Sequence, residues 1–145
     1  MDNASFLKIY VGSGKRPTMR AKTKPSGKPS EKSHQISLYK WWCVHYAPYA
    51  RLFIHAANEG HRTMISGALL RRMGMQIGFP DVFIAVPRGG YHGLMLELKI
   101  VGNKATPAQI DMLGMLALQG YDTAVCFGWE AAVERIQAYM QQPAA

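Results

Sequence analysis

Two apolar runs joined by a tight-turn signal constrain this chain more than any other feature. Asp81 to Val86 reads DVFIAV, Pro87-Arg88-Gly89-Gly90 follows, and Tyr91 to Ile100 then carries the run LMLELKI. Proline and glycine stand where a tight turn needs them, so the two runs read as the strands of a β-hairpin. Glu97 and Lys99 are embedded in the second strand. Alternation places both on one face and turns Leu96 and Leu98 to the other, towards a core. A solvated pair has no reason to be flanked by apolar residues on both sides.

The hairpin brings Asp81, at the start of the first strand, close to Glu97. Two carboxylates about 4 Å apart repel by roughly 4 kcal/mol at an effective dielectric near 20. A divalent cation removes that repulsion, and hard carboxylate oxygens suit Mg²⁺ or Mn²⁺. The backbone carbonyl of Leu98 lies between the two functional side chains and is a further oxygen ligand. Lys99 beside such an ion can orient or help deprotonate an attacking water and offset charge on a pentacovalent phosphate. Together these groups describe metal-assisted phosphodiester hydrolysis.

The rest of the chain supplies helices and two more strands. Ser30 can cap a helix over about 31–46, where Ile36, Tyr39, Trp42 and Cys43 recur at helical spacing. Arg51 to Ala57 reads as a strand. His61 to Met73 reads as a helix with Gly74 as its stop. Thr106-Pro107-Ala108-Gln109 is a helix start in which Thr106 caps, Pro107 fits the first position and Gln109 completes a capping box. That helix ends at Gly120. Tyr121 to Phe127 is a further strand and Trp129 to Met140 a last helix. The order α-β-α-β-β-α-β-α implies an α/β fold with a mixed sheet and helices on its faces.

The charge of the chain is lopsided. The net charge is +8 over 145 residues, yet residues 1–40 hold nine Lys or Arg against two acids. Gly12 to Pro29 is rich in Gly, Ser, Pro and Lys, so residues 1–29 read as a basic arm, with a short strand over Phe6 to Val11, ahead of a domain over 30–145. An excess of this sign points to a polyanion, nucleic acid first. Gly12-Ser-Gly-Lys15 lacks the spacing of a phosphate loop. Half the chain is hydrophobic, enough for a core without disulfides or zinc. Cys43 and Cys126 form no ligand or disulfide pattern, and no leader or membrane-spanning run is visible, so the expected setting is a reducing cytoplasm.

Pro80-Asp81 followed by Glu97-Leu98-Lys99 resembles the PD-(D/E)XK nuclease signature. The surrounding text narrows the likeness: Glu31-x-x-x-Gln35, Asn58-Glu59-Gly60-x-Arg62, Met73-Gly74, Gly78-x-Pro80-Asp81, Gly93-Leu94-x-x-Glu97-Leu98-Lys99, Thr106-Pro107-x-Gln109 and Gly120-Tyr121. Over about residues 30–140 the chain resembles a stand-alone virus-type replication-repair nuclease (VRR-NUC) domain. The resemblance implies a restriction-endonuclease-like αβββαβ core with a mixed central sheet flanked by helices. It implies Mg²⁺ or Mn²⁺ held by Asp81, Glu97 and the Leu98 carbonyl, with Lys99 beside the water. It adds Glu31 and Glu59 as further acids at the metal, and Gln109, with Gln35 behind it, as site residues.

Stand-alone viral and bacterial members are similar to Holliday junction resolvases. The resemblance therefore implies a homodimer acting on four-way DNA in a bacterial or phage-infected cell, since a dimer places two sites on two strands. Arg62, Lys104 and the arm residues Lys15, Arg16, Arg20, Lys22 and Lys24 are the expected phosphate contacts. Alternatives are a flap, nick or general duplex nuclease of the same fold, and an inactive DNA-binding module. The five histidines form no ligand pattern and read as structural or surface residues. The methionines at 64, 73, 75, 95, 112 and 115 read as flexible core fillers, some of them alternatively at a dimer interface. Of Trp41 and Trp42, one is expected in the core and the other at an interface.

Overall fold

The computed structural model describes residues 30–56 and 64–144. The expected arm over 1–29, including its short strand, lies outside the described residues, as does the start of the helix expected from His61.

Helix α1 (Glu31–His45) begins at a reciprocal cap. Ser30 Oγ accepts from the Ser33 N–H, and Ser33 Oγ accepts from the Ser30 N–H. A short 3₁₀ turn (Ala47–Leu52) leads into β1 (Phe53–His55). After α2 (Met64–Arg72) come β2 (Val82–Ile84) and β3 (Leu94–Lys99). Helix α3 (Pro107–Leu118), β4 (Asp122–Phe127) and α4 (Trp129–Met140) complete the order. The element order is the expected one.

The strands form one sheet in the order β1-β2-β3-β4. The first two pairings are antiparallel, with Phe53 opposite Ile84 and Val82 opposite Leu96. β3 and β4 run parallel, with Leu94 opposite Asp122, and α3 makes the crossover between them. The sheet is therefore mixed, as expected. Gly89 and Gly90 both take positive φ between paired Arg88 and Tyr91, the mirror-image turn that joins β2 to β3.

α1 and α4 pack on one face of the sheet. Leu38 and Trp42 from α1, Ile136 and Tyr139 from α4, and Val82, Ile84, Leu94, Leu96 and Leu98 from the sheet form one buried cluster. The Trp42 indole N–H donates to the Tyr49 carbonyl at 3.1 Å, and the Tyr139 hydroxyl donates to the Val86 carbonyl at 2.8 Å. Large aromatics thus enter the core with their polar ends satisfied. His34 Nδ1 accepts from the Trp129 N–H at 2.9 Å, so a histidine of α1 caps the start of α4, where Gly128 offers no side chain.

Three expectations are corrected. The strand expected from Arg51 begins at Phe53, because Pro48 fixes a helical φ and the Tyr49 carbonyl is tied to Trp42, which closes the 3₁₀ turn first. The methionines are not generally core fillers: Met95 is buried, but Met73 and Met115 are exposed on the outer sides of the turn after α2 and of α3. The apolar face expected on α1 is displaced: Leu38 and Trp42, one turn apart, are buried against the sheet, whereas Ile36 and Tyr39 are exposed. Trp42 is the tryptophan that enters the core, as one of the pair was expected to, and Trp41 is half-buried, stacking on His45 and packing against the core edge.

Candidate active site

The site is built where β2 stops short of β3. Val82 opposite Leu96 is the last β2–β3 pair. On the other side of β3, the Lys99 carbonyl accepts from the Gly128 N–H at 2.8 Å. Successive residues of a strand turn their backbone groups to opposite edges. The N–H and carbonyl of Leu98 therefore face the gap that β2 has left. Asp81, one residue before β2, fills part of that gap: its Oδ2 accepts from the Leu98 N–H at 2.9 Å. The Leu98 carbonyl shares the gap, and a cavity of about 320 Å³ opens there, lined by Glu31, Gln35, His55, Asp81 and Leu98.

Glu97 and Lys99 share the opposite face of β3 from the leucines, as alternation requires. That face is not open to water: Glu97 is completely buried and Lys99 nearly so. Lys99 Nζ lies 2.7 Å from Glu97 Oε1 and 3.8 Å from Glu31 Oε1. Glu97 Oε1 also accepts from the Gln109 side-chain amide. Gln109 does two things at once. Its Oε1 accepts from the Thr106 N–H at 2.8 Å, which closes the α3 cap and turns its NH₂ group towards Glu97.

Electrostatics follow from this packing. Burial pushes the Asp81 carboxyl above its ordinary value. The Leu98 N–H and the Lys99 ammonium pull it back in part, while the Glu31 charge pushes it up further. Burial alone would lower Lys99, but the bond to Glu97 and the charges of Glu97, Glu31 and Asp81 outweigh it and hold the ammonium above its usual range. Lys99 is thus kept as a cation, suited to donating a hydrogen bond rather than taking a proton.

Among the described residues, no three His, Cys, Asp or Glu side chains already close on one point. The donor set nonetheless fits a hard divalent cation. Its donors are oxygens, three carboxylates gather around the Lys99 ammonium with Lys32 at the cavity wall, and burial holds Asp81 above its ordinary value, a cost that a cation beside it would offset.

The structure thus brings Glu31, Asp81, Glu97, Leu98, Lys99 and Gln109 together, with Gln35 one turn along from Glu31. Lys104 is exposed in the loop between β3 and α3. Glu59, Arg62, Lys15, Arg16, Arg20, Lys22 and Lys24 lie outside the described residues. Sequence reading missed His55. Its Nδ1 lies 2.9 Å from the Asp81 carbonyl, which also accepts from the Ala56 N–H, and the ring lines the cavity. Only the β1–β2 register puts His55 beside Asp81, and no local pattern announces that pairing.

Comparisons with known proteins point to one family. A family profile described as the VRR-NUC domain matches residues 30–129. A solved structure described as a VRR_NUC domain protein is 31% identical, with a TM-score of 0.72, over 81% of this chain and 93% of its own. No curated protein matches the chain.

Proposed function

The chain belongs to the VRR-NUC family of PD-(D/E)XK-type nucleases, and from that premise we propose a metal-dependent, structure-specific DNA endonuclease acting as a homodimer on four-way junctions. The observation that carries the proposal is the cluster at the parting of β2 and β3, in which Asp81, Glu97 and Lys99 meet around the Leu98 backbone. An inactive DNA-binding module would have no reason to keep a buried carboxylate and ammonium there, because burying ions costs several kcal/mol each.

In this reading Glu31, Asp81, Glu97 and the Leu98 carbonyl hold Mg²⁺ or Mn²⁺, with Glu59 as a further acid. A bound divalent cation supplies Lewis-acid charge at the phosphate and lowers the pKa of water. The chain's own groups do the rest. Lys99 donates a hydrogen bond towards the attacking water or a phosphate oxygen, and its charge offsets the negative charge that develops on the phosphate oxygens. Gln109 fixes the Glu97 carboxylate, so that the group does not have to be ordered during the reaction. Arg62, Lys104, Lys15, Arg16, Arg20, Lys22 and Lys24 bind backbone phosphates.

The dimer is supported by the outer side of α3. Ile110, Met115 and Leu118 are exposed on a helix that buries only Leu113. In the dimer reading these side chains would be covered by the second copy.

The test is cleavage of labelled four-way, flapped, nicked and linear DNA with Mg²⁺ or Mn²⁺, run beside Glu97→Gln. The expected result is paired symmetric nicks on the junction, absent from the variant. Cutting of flaps or duplex at equal rates would keep the nuclease and discard the resolvase. Tight binding without cutting by the parent would discard both.

A further inference from the structure

A second cleft borders the site on the α3 side. It has a volume of about 260 Å³, lies between residues 75–79 and the first turn of α3, and shares Asp81 and Gln109 with the site. Met75, Ile77 and Phe79 give it apolar surface, while Gln76, Thr106 and Gln109 give it amide and hydroxyl groups.

Gly78 holds the cleft in shape. It takes a φ of +81°, and a Cβ there would stand 2.5 Å from the Ala108 carbonyl oxygen. Glycine lets the 75–79 loop press directly on α3, and any other residue would prise the two walls apart. Ile77 is 66% exposed. A large aliphatic side chain left in water beside a cleft suggests a wedge between stacked groups.

We infer that this cleft receives a single nucleobase, unstacked from its neighbours beside the phosphate to be cut. The inference rests on the DNA-cleavage reading and names how that site selects its substrate. The volume lies below the roughly 300–1,000 Å³ of pockets for drug-sized ligands and suits one planar ring system rather than a duplex. The apolar wall takes the π-face of the base, and the Gln76 amide and the Thr106 hydroxyl hydrogen meet its polar edge, since the Gln109 amide is already held by Thr106 and Glu97. Asp81 lines both cavities, so the opening lies next to a phosphate held there for cleavage. DNA whose base beside the cut is already unpaired, as at a branch or nick, gives up less pairing on entering the cleft than intact duplex does. Structure selectivity then needs no reading of base identity.

The test uses junctions carrying 2-aminopurine at the two nucleotides flanking the mapped cut, bound by the full chain with Glu97→Gln to prevent cleavage. The expected result is a several-fold rise in fluorescence on binding, lost when Ile77→Trp is added to fill the cleft. Ile77 is exposed, so that change leaves the core alone. In the cleaving protein Ile77→Trp reduces the preference for junction over duplex by about tenfold. A probe that stays dim at both positions while fluorescence anisotropy reports tight binding would overturn the inference but leave the nuclease intact. A rise that survives Ile77→Trp would also overturn it, since the base would then lie elsewhere. Failure of the Glu97→Gln protein to bind any DNA would instead sink the nuclease reading, and the inference with it.

Discussion

On one face of the sheet, β3 sets Leu94, Leu96 and Leu98 among Leu38, Trp42, Ile136 and Tyr139. On the other it sets Glu97 and Lys99 beside the first turn of α3. The six residues of this strand are all buried, so the two faces differ in chemistry and not in exposure. The apolar face contributes stability, on the order of 1.5–3 kcal/mol for each large side chain removed from water. The polar face offsets a desolvation cost with the ion pairs of Lys99 to Glu97 and Glu31 and with the Gln109 amide hydrogen bond, and gains little net stability from them. One face holds the fold, and its surplus lets the other keep charges dry for chemistry.

Changes on the two faces should therefore separate stability from activity. Trp42→Ala empties the apolar face and should cost about 3–5 kcal/mol by urea denaturation, with the cleavage rate per folded molecule nearly unchanged. A large loss of rate in the folded fraction would break the division. Lys99→Met should do the reverse, lowering kcat by about 10²–10³-fold, as removal of a charge-stabilising donor does, with circular dichroism confirming the fold at the assay temperature. Parental activity in that variant would remove Lys99 from the reaction.

Asp81→Asn sharpens the comparison through pH. The folded pKa of Asp81 lies above its unfolded value, so its contribution to stability is present below the unfolded value and lost as pH rises through the folded one. Replacing the charge should therefore raise stability at neutral pH, by about 0.5–2 kcal/mol, and the gain should shrink towards pH 3. Melting curves at several pH values would show it, and an equal gain at every pH would mean that charge burial is not the cause. Mg²⁺ should raise the melting temperature of the parent more than that of this variant.

The smallest effect lies at the apolar end of the comparison. Burial pushes the Cys126 thiol up to about 11, so in the folded chain it should resist alkylation at pH 8 and react only on unfolding. Rapid labelling of native Cys126 would show that the edge strand β4 opens readily.

The sequence by itself determined the strand that carries the chemistry. An apolar run with Glu97 and Lys99 two residues apart can place them on one face only, because side chains alternate along a strand. The cap of α3 was equally legible, since Thr106, Pro107 and Gln109 act within one turn. The positions of most elements followed from spacing in the same way, but the buried face of α1 did not: Leu38 and Trp42 enter the core while Ile36 and Tyr39 are exposed. Only the tertiary structure decided how the pieces meet. It began β2 only at Val82, one residue after Asp81, which turned the Leu98 backbone into the site. It placed Glu31 within 3.8 Å of Lys99 across more than sixty residues of chain. It also set His55 beside Asp81 and gave the Gln109 amide a second partner in Glu97. Local periodicity is written into neighbouring residues, whereas strand register and helix docking depend on how distant surfaces pack.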